Sequence, residues 1–210
     1  MLQQNAIPSS ALELLKKISA ISQVNSFALA LGGGTAVALR LGHRLSVDLN
    51  FFTNVEFDTQ AFFRLITKRF ANSEVLFEKN QTILFNINDI KVDFVLYPFP
   101  WLRPFAAEDG IQLLDIADII PMKLQAVSNR NAKKDYWDIE ALFKIYSLDE
   151  MLKIFKQKFP PIDIAFIIHS LTDFEKADTE PDPEVLNNKT WEDVKAHLIS
   201  AVTDYTKRLL

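Results

Sequence analysis

Hydrophobic and polar positions along this chain follow one pattern in its first half and another in its second half. In the first half, the pattern predicts helices and strands in alternation. The predicted helices are Ser10 to Ile21, Thr35 to Leu41 and one that begins after an Asp58 cap. The predicted strands are Ser26 to Leu31, Val47 to Phe52, Glu74 to Lys79, Thr82 to Asn88 and Ile90 to Tyr97. Beyond the prolines of residues 98–104, helical spacing alone remains, at about 115–129, 133–146, 148–159, 161–172 and 191–209. Parallel, helix-linked strands followed by a hairpin predict an α+β fold with a mixed β-sheet flanked by helices. We expect residues 1–104 to form this core and residues 105–210 a helical C-terminal domain.

The most informative segment joins the first strand to the second helix. Leu31 is followed by Gly32, Gly33, Gly34 and Thr35. Glycines at such a turn let backbone N–H groups approach a phosphate closely, and the helix N-terminus adds partial positive charge. A tight turn without a ligand is the alternative, and the triplet alone does not separate the two.

Acidic and amide side chains occupy the two strands that follow. Asp48 and Asn50 share one face of the strand Val47 to Phe52, and Asp93 lies inside the apolar strand Ile90 to Tyr97. A carboxylate beside the glycine turn can hold the Mg²⁺ that accompanies a nucleoside triphosphate. The alternatives are a cap or salt bridge for Asp48 and a solvent-facing strand for Asp93.

Charged side chains also interrupt the apolar pattern of the helical half. Lys123 has apolar neighbours, so it either extends to the surface or holds phosphate oxygens. Asp135 shares a helix face with Asp138 and could orient Lys123 from the neighbouring helix. Arg130, Lys133 and Lys134 form the densest basic strip, a candidate for facing an acceptor or a solvated helix start.

Composition narrows the function classes. Hydrophobic residues make up 49% of the 210 residues, which supports a sizeable core, and the net charge of −4 gives no broad basic surface for nucleic acid. With no cysteine, thiol nucleophiles and cysteine-ligated metals are excluded, and the three histidines are too scattered to predict a zinc site. No signal peptide and no apolar stretch of about 20 residues is present, so we expect a cytoplasmic protein with no membrane partner. Motifs of serine hydrolases, dinucleotide-binding folds and P-loops are absent.

In combination, these segments resemble the AbiEii/AbiGii toxin family of nucleotidyltransferases. The resemblance covers about residues 25–145 and rests on four stretches, which are Gly33-Gly34-Thr35-Ala36, Gly42-His43-Arg44-Leu45-Ser46-Val47-Asp48-Leu49-Asn50-Phe51-Phe52, Val92-Asp93 with Tyr97-Pro98, and Lys123-Leu124-Gln125-Ala126 to Arg130 with Lys134-Asp135-Tyr136-Trp137-Asp138. It implies a DNA polymerase β-like core that transfers a nucleotide from an NTP. It further implies a toxin of a toxin–antitoxin or phage-defence system, with tRNA or another RNA as acceptor and an antitoxin protein as partner.

The resemblance also assigns roles to individual residues. Gly33, Gly34 and Thr35 would hold the triphosphate, Lys123 would contact its phosphates, and Asp135 would complete the catalytic set of Asp48, Lys123 and Asp135. Asp48, Asn50 and Asp93 would hold Mg²⁺ or Mn²⁺, and the helical C-terminal domain would complete the site.

Asn50 departs from the family pattern, which has aspartates at both positions of Asp-x-Asp. An amide oxygen can coordinate Mg²⁺ but brings no charge, so a two-metal site should be weakened. The sequence therefore supports an Mg²⁺-dependent nucleotidyltransferase and, as the alternative, a catalytically degenerate protein that binds a nucleotide, RNA or an antitoxin without transfer.

Overall fold

The structure is a computed structural model that describes residues 1–21, 24 and 27–209. Ser26, the predicted start of the first strand, and Leu210, the predicted end of the second domain, lie outside the described residues. After a 3-10 turn at Gln4–Ala6, the helices are α1 Ser9–Ser19, α2 Gly33–Leu41, α3 Thr59–Arg69, α4 Ile116–Arg130, α5 Lys133–Leu142, α6 Leu148–Lys158, α7 Ile164–Ser170, α8 Glu175–Asp178 and α9 Trp191–Lys207. The strands are β1 Ala30–Leu31, β2 Leu49–Thr53, β3 Ser73–Lys79, β4 Thr82–Ile87, β5 Ile90–Leu96, β6 Ala106–Glu108 and β7 Ile111–Leu113.

Within the described residues, the strands form one sheet in the order β3-β4-β5-β2-β1-β7-β6. The sheet is mixed, as predicted, with β2–β5 and β1–β7 parallel and the other pairs antiparallel. The prediction that the first two strands run parallel is wrong. Residues 42–48 lead the chain back to the start of α2, where the Thr35 hydroxyl contacts the Asp48 carbonyl, so β2 enters the sheet beside the end of β1.

The sequence pattern did not predict two of the strands, β6 and β7. β6 and β7 are three residues each and lie on the helical side of the predicted boundary at residue 104, yet Leu113 of β7 pairs with Leu31 of β1. Their turn contains Asp109 and Gly110, both with positive φ, so the Asp-Gly dipeptide was a usable hairpin indicator. The helices of the C-terminal half therefore begin at Ile116.

The predicted first strand is shorter than its apolar pattern suggests, because Ala28 has a left-handed φ of 51° and pairing begins only at Ala30. In the helical half, α5 ends at Leu142 rather than near residue 146, and α7 spans seven residues. The predicted Asp58 cap is confirmed, since its side chain accepts hydrogen bonds from the first turn of α3.

One face of the sheet carries an aromatic core. On β4, Ile83, Phe85 and Ile87 are fully buried and alternate with partly exposed residues, as expected for a strand with one covered face. Phe62 of α3 packs edge-on against Phe94 of β5 with ring centroids 4.6 Å apart. The opposite face of β2 and β5 is left for the polar residues of the site.

A buried ion pair fastens the proline-rich segment to the helices. Asp118 of α4 is fully buried, accepts hydrogen bonds from the backbone N–H groups of Leu102 and Arg103, and lies 2.7 Å from the Lys158 ammonium. Lys158 also donates to the Pro100 carbonyl at 2.5 Å. The segment that connects sheet and helices is therefore held by charged and backbone hydrogen bonds together.

Candidate active site

A cavity of about 250 Å³ opens where the start of α2 meets β2, β5, α4 and α5. Its lining residues are Gly33, Gly34, Arg44, Ser46, Asp48, Asn50, Phe52, Lys91, Asp93, Met122, Lys123, Ala126, Arg130 and Lys134. They come from both sides of the predicted domain boundary, and they include most of the residues that the sequence singled out.

The glycine turn forms one wall. Gly33 has a left-handed φ of 63°, and a Cβ atom there would lie 3.3 Å from the Asn50 amide nitrogen. A Cβ on Gly34 would meet the Arg44 guanidinium and would lie 3.0 Å from the Asp138 carboxylate. The first N–H groups of a helix have no intrahelical partners, so this wall presents donors and partial positive charge to the cavity.

Thr35 does not share this wall. It is fully buried, and its hydroxyl pairs with the Ser46 hydroxyl at 2.8 Å and with the Asp48 carbonyl. Of the three predicted triphosphate-binding residues, the structure therefore brings Gly33 and Gly34 to the cavity. Thr35 instead attaches the start of α2 to the segment before β2.

The acidic and amide side chains form the floor. Asn50 of β2 and Asp93 of β5 are register partners on adjacent parallel strands. Asp48 lines the same cavity but lies just before β2, which begins at Leu49 rather than at the predicted Val47. The solvent-facing alternative for Asp93 is wrong, because the residue is 8% exposed.

Each floor carboxylate has a lysine beside it. The Lys91 ammonium lies 3.2 Å from Asp93 Oδ2, and the Lys134 ammonium lies 3.5 Å from Asp48 Oδ2. Burial raises the pKa of Asp93, and Lys91 opposes that rise without cancelling it.

The floor offers hard oxygen donors of the kind that Mg²⁺ and Mn²⁺ prefer. Across the described part of the chain, no cluster of three or more histidine, aspartate or glutamate side chains could hold a metal, so the candidate set is two carboxylates and the Asn50 amide. Among the same described residues, buried Asp93 Oδ1 has no hydrogen-bond partner. An unpartnered buried carboxylate oxygen is costly unless a ligand uses it, so the donor set fits one divalent cation.

Lys123 and Asp135 meet on the opposite wall, as the shared helix face predicted. The Lys123 ammonium donates to Asp135 Oδ1 at 2.9 Å, and the side chain is only 6% exposed, so it does not extend to the surface. Arg130 reaches the same carboxylate with Nε at 2.7 Å and Nη2 at 2.9 Å. Burial by itself would raise the pKa of Asp135, but the Lys123 and Arg130 charges outweigh it and hold the pKa below its usual range.

The sequence assigned no role to three residues that organise this wall. Asp138 is fully buried and receives Arg44 through Nε at 2.8 Å and Nη2 at 3.0 Å, His43 Nε2 at 2.8 Å, and the Lys123 ammonium at 2.5 Å. Burial would raise the pKa of Asp138, yet Arg44, Lys123 and His43 hold it well below the ordinary range. The adjacent His43-Arg44 pair, two charge-capable residues after the helix-ending Gly42, was the available sequence indicator.

The three residues of the predicted basic strip lie in two different environments. Arg130 and Lys134 line the cavity, but Lys133 is buried, pairs with Asp182 at 3.1 Å and lies 5.2 Å from the centroid of the Trp191 ring. Lys133 is therefore a structural contact to the C-terminal segment and does not line the cavity.

Known proteins share sequence features and the fold of this chain. The family described as "Nucleotidyl transferase AbiEii toxin, Type IV TA system" matches residues 14–209. The chain belongs to the AbiEii family of nucleotidyltransferase toxins. Its family membership extends beyond the segment 25–145 that carried the sequence resemblance and takes in the helical tail.

Three relatives illustrate how this AbiEii-family chain compares. The uncharacterized protein aq_aa25 of Aquifex aeolicus is 35% identical over 199 residues, which cover 92% of this chain and 94% of that protein. JHP933 from Helicobacter pylori is 17% identical, with a TM-score of 0.59 over 97% of this chain and 94% of its own. MenT4, a nucleotidyltransferase toxin from Mycobacterium tuberculosis, is 15% identical, with a TM-score of 0.56 over 92% of this chain and 82% of its own. The two solved structures establish the nucleotidyltransferase-type α+β fold, as predicted.

The length and apolar character of a helix decide whether it can cross a membrane. In the described ranges, no helix of this AbiEii-family protein has the length and apolar character needed to cross a bilayer.

Proposed function

We propose that this protein transfers a nucleotide from an NTP to an acceptor hydroxyl, with tRNA or another RNA as the acceptor class, as the toxin of a cytoplasmic toxin–antitoxin system. One observation carries the proposal. A helix N-terminus, a floor of two carboxylates and an amide, and a wall with lysine and arginine side chains all line a single cavity. These are the groups that a triphosphate and its divalent cation require.

Different residues of the cavity have different roles toward the nucleotide. The backbone N–H groups at Gly33 and Gly34 donate to phosphate oxygens, and the α2 dipole favours the negative charge. An ammonium has three N–H donors, and Lys123 uses two of them on Asp135 and Asp138, so the third is left for a phosphate oxygen. Asp135 and Asp138 thus set the direction of Lys123, whereas Lys123 itself contacts the nucleotide.

Asp48, Asn50 and Asp93 would hold Mg²⁺ or Mn²⁺. When bound, such a cation stabilises negative charge on the attacking and leaving oxygens of phosphoryl chemistry. In the proposed reaction the acceptor hydroxyl loses its proton to water and its oxygen forms a bond to the α-phosphorus. The bond from that phosphorus to the β-phosphate oxygen breaks, and pyrophosphate leaves. Positioning of the two reactants and electrostatic stabilisation supply most of the rate acceleration.

Asn50 supports a second candidate, a protein that binds nucleotide, RNA or antitoxin without transfer. Asn50 lies opposite Asp93 in the floor, where the family pattern has a second aspartate. Asn50→Asp discriminates between the two candidates. A sharp gain in transfer would identify a weakened catalytic site, and nucleotide binding with no transfer by either form would favour the binding protein.

The proposal is tested by incubating the purified protein with Mg²⁺ or Mn²⁺, each labelled NTP in turn and total cellular RNA. Asp48→Ala is the matched inactive variant, and Asp149→Ala on the exposed first turn of α6 controls for loss of a surface aspartate. Label transferred by the native protein and by Asp149→Ala, but not by Asp48→Ala, establishes the enzyme and identifies both base and acceptor. No transfer with any NTP, together with nucleotide binding that survives Asp48→Ala, contradicts it. Growth arrest on expression, relieved by a neighbouring antitoxin gene, would test the toxin role separately.

A further inference from the structure

We propose that the floor of this site takes one divalent cation rather than two, and that the Lys91 ammonium supplies positive charge beside Asp93 in place of a second cation. The inference rests on the proposed function, because it assigns charges within the same cavity. It goes further by giving a role to Lys91, for which neither the motif nor the resemblance provides one.

The first step is the charge of the floor. Asp48 and Asp93 are the two carboxylates, and Asn50, the register partner of Asp93, is neutral. Two divalent cations need several shared carboxylates to offset their mutual repulsion, and two carboxylates neutralise only one such ion. The floor therefore has the charge for a single cation.

The second step is the position of Lys91. Lys91 and Asp93 are two residues apart on β5, so their side chains leave the strand on the same face. The ammonium lies 3.2 Å from Asp93 Oδ2, whereas Asp93 Oδ1 has no hydrogen-bond partner among the described residues. One carboxylate oxygen is thus paired with a lysine of its own strand, and the other is left for a cation shared with Asp48 and Asn50.

Lys134 differs from Lys91 in this respect. It approaches Asp48 from the first turn of α5, at 3.5 Å, and not from the sheet itself. Both side chains are about half exposed, 45% for Lys91 and 48% for Lys134, so both ammonium groups remain hydrated. Lys134 is therefore the comparison that separates a specific effect of Lys91 from a general loss of positive charge.

The experiment counts bound Mn²⁺ by electron paramagnetic resonance of the free ion, with no nucleotide and no turnover. The proteins are the native chain, Lys91→Met, Asn50→Asp and the double variant Asn50→Asp/Lys91→Met. Methionine keeps the apolar stem of the lysine, Lys134→Met, alone and combined with Asn50→Asp, is the comparison within the cavity, and Lys144→Met, at an exposed lysine outside the lining, is the surface control. Thermal unfolding of every variant shows whether the fold persists.

We expect one Mn²⁺ on the native chain and one on Lys91→Met, bound roughly tenfold more tightly because a unit charge a few ångströms from a divalent ion has gone. Asn50→Asp alone should still bind one ion, and the double variant should bind two. The proposal is overturned by two ions on the native chain, by two ions on Asn50→Asp with Lys91 in place, or by unchanged affinity in Lys91→Met. A second ion on Asn50→Asp/Lys134→Met would overturn it as well, because the second position should open only when Lys91 is removed. Failure of the proposed function would look different, since the Mn²⁺ count would stand while no NTP was transferred.

Discussion

Arg44 and Asp138 are joined by two parallel hydrogen bonds although 94 residues separate them in the sequence. The pair lies beneath the glycine turn, where Gly34 leaves no space for a side chain. Such a fork-to-carboxylate contact fixes direction as well as distance. The geometry of the start of α2 and that of α5 are therefore set by one another.

Asp138→Asn should destabilise the protein strongly. It leaves the buried Arg44, Lys123 and His43 without their shared carboxylate, and removal of one partner from a buried ion pair costs about 3–5 kcal/mol. Urea unfolding of native and variant protein measures the difference. Asp149→Asn, which breaks an exposed pair with Lys153, should leave the free energy of unfolding almost unchanged. Equal effects from both substitutions would show that the buried cluster contributes little.

Gly34→Ala should impair nucleotide binding more than folding. The added methyl group would displace the Arg44 guanidinium at the cavity wall, and overpacking of this kind costs about 1–3 kcal/mol. Because Gly34 and Arg44 both line the cavity, we expect affinity for NTP to drop roughly ten- to hundredfold, measurable by calorimetry. Gly110→Ala is the control, because its Cβ meets nothing within 4 Å although its φ of 79° strains the backbone. A matching loss of affinity in Gly110→Ala would point to a global effect.

Acid should unfold the protein partly through Asp135 and Asp138. Both carboxyls have pKa values below the ordinary 3.8 in the folded state, so the folded protein binds fewer protons than the unfolded chain. Their contribution is fully present above the unfolded pKa and is lost as pH falls from about 4 through the folded values. The free energy of unfolding, measured between pH 7 and pH 3, should fall less steeply at the acid end in Asp138→Asn. Identical slopes would rule out this linkage.

The ion pair at the proline-rich segment predicts an order of severity. Asp118→Ala removes the acceptor for Lys158 and for the Leu102 and Arg103 N–H groups, whereas Lys158→Met leaves those two backbone bonds in place. Because Asp118→Ala leaves both the buried Lys158 ammonium and these two N–H groups without their acceptor, Asp118→Ala should be the more destabilising. Chemical denaturation of the two variants gives the order, and the reverse order would contradict this account.

Local patterns predicted much of the fold, because amphipathic spacing and caps act within a few residues. The Asp58 cap, the hairpin of β4 and β5, and α4 follow from such patterns. β6 and β7 were missed because three residues each are too few to show an alternating pattern, and β7 joins the sheet by pairing with β1, which lies more than 80 residues earlier.

The residues of the candidate site likewise fall into those that local sequence indicated and those that only the fold brings together. Six residues were selected from the sequence because their types are unusual in their local context, and all of them line the cavity: Gly33, Gly34, Asp48, Asn50, Asp93 and Lys123. Thr35 lies outside the cavity lining because its hydroxyl is used by Ser46 and by the backbone at Asp48, contacts that arise only when the chain folds back. Asp138 acquires its importance from Arg44, a partner that helical spacing cannot indicate.

The segment that carries His43, Arg44 and Leu45 is itself held by the far end of the chain. The Leu45 N–H donates to the Glu184 carbonyl, the Leu186 N–H donates to the His43 carbonyl, and Arg44 forms a bridge with Val185. The ribosome adds Gly33 and Gly34 early, but the segment 184–186, which pairs with residues 43–45, is made only about 150 residues later. During synthesis, the nascent chain therefore contains its glycine turn long before it contains the segment that holds His43, Arg44 and Leu45 beside that turn.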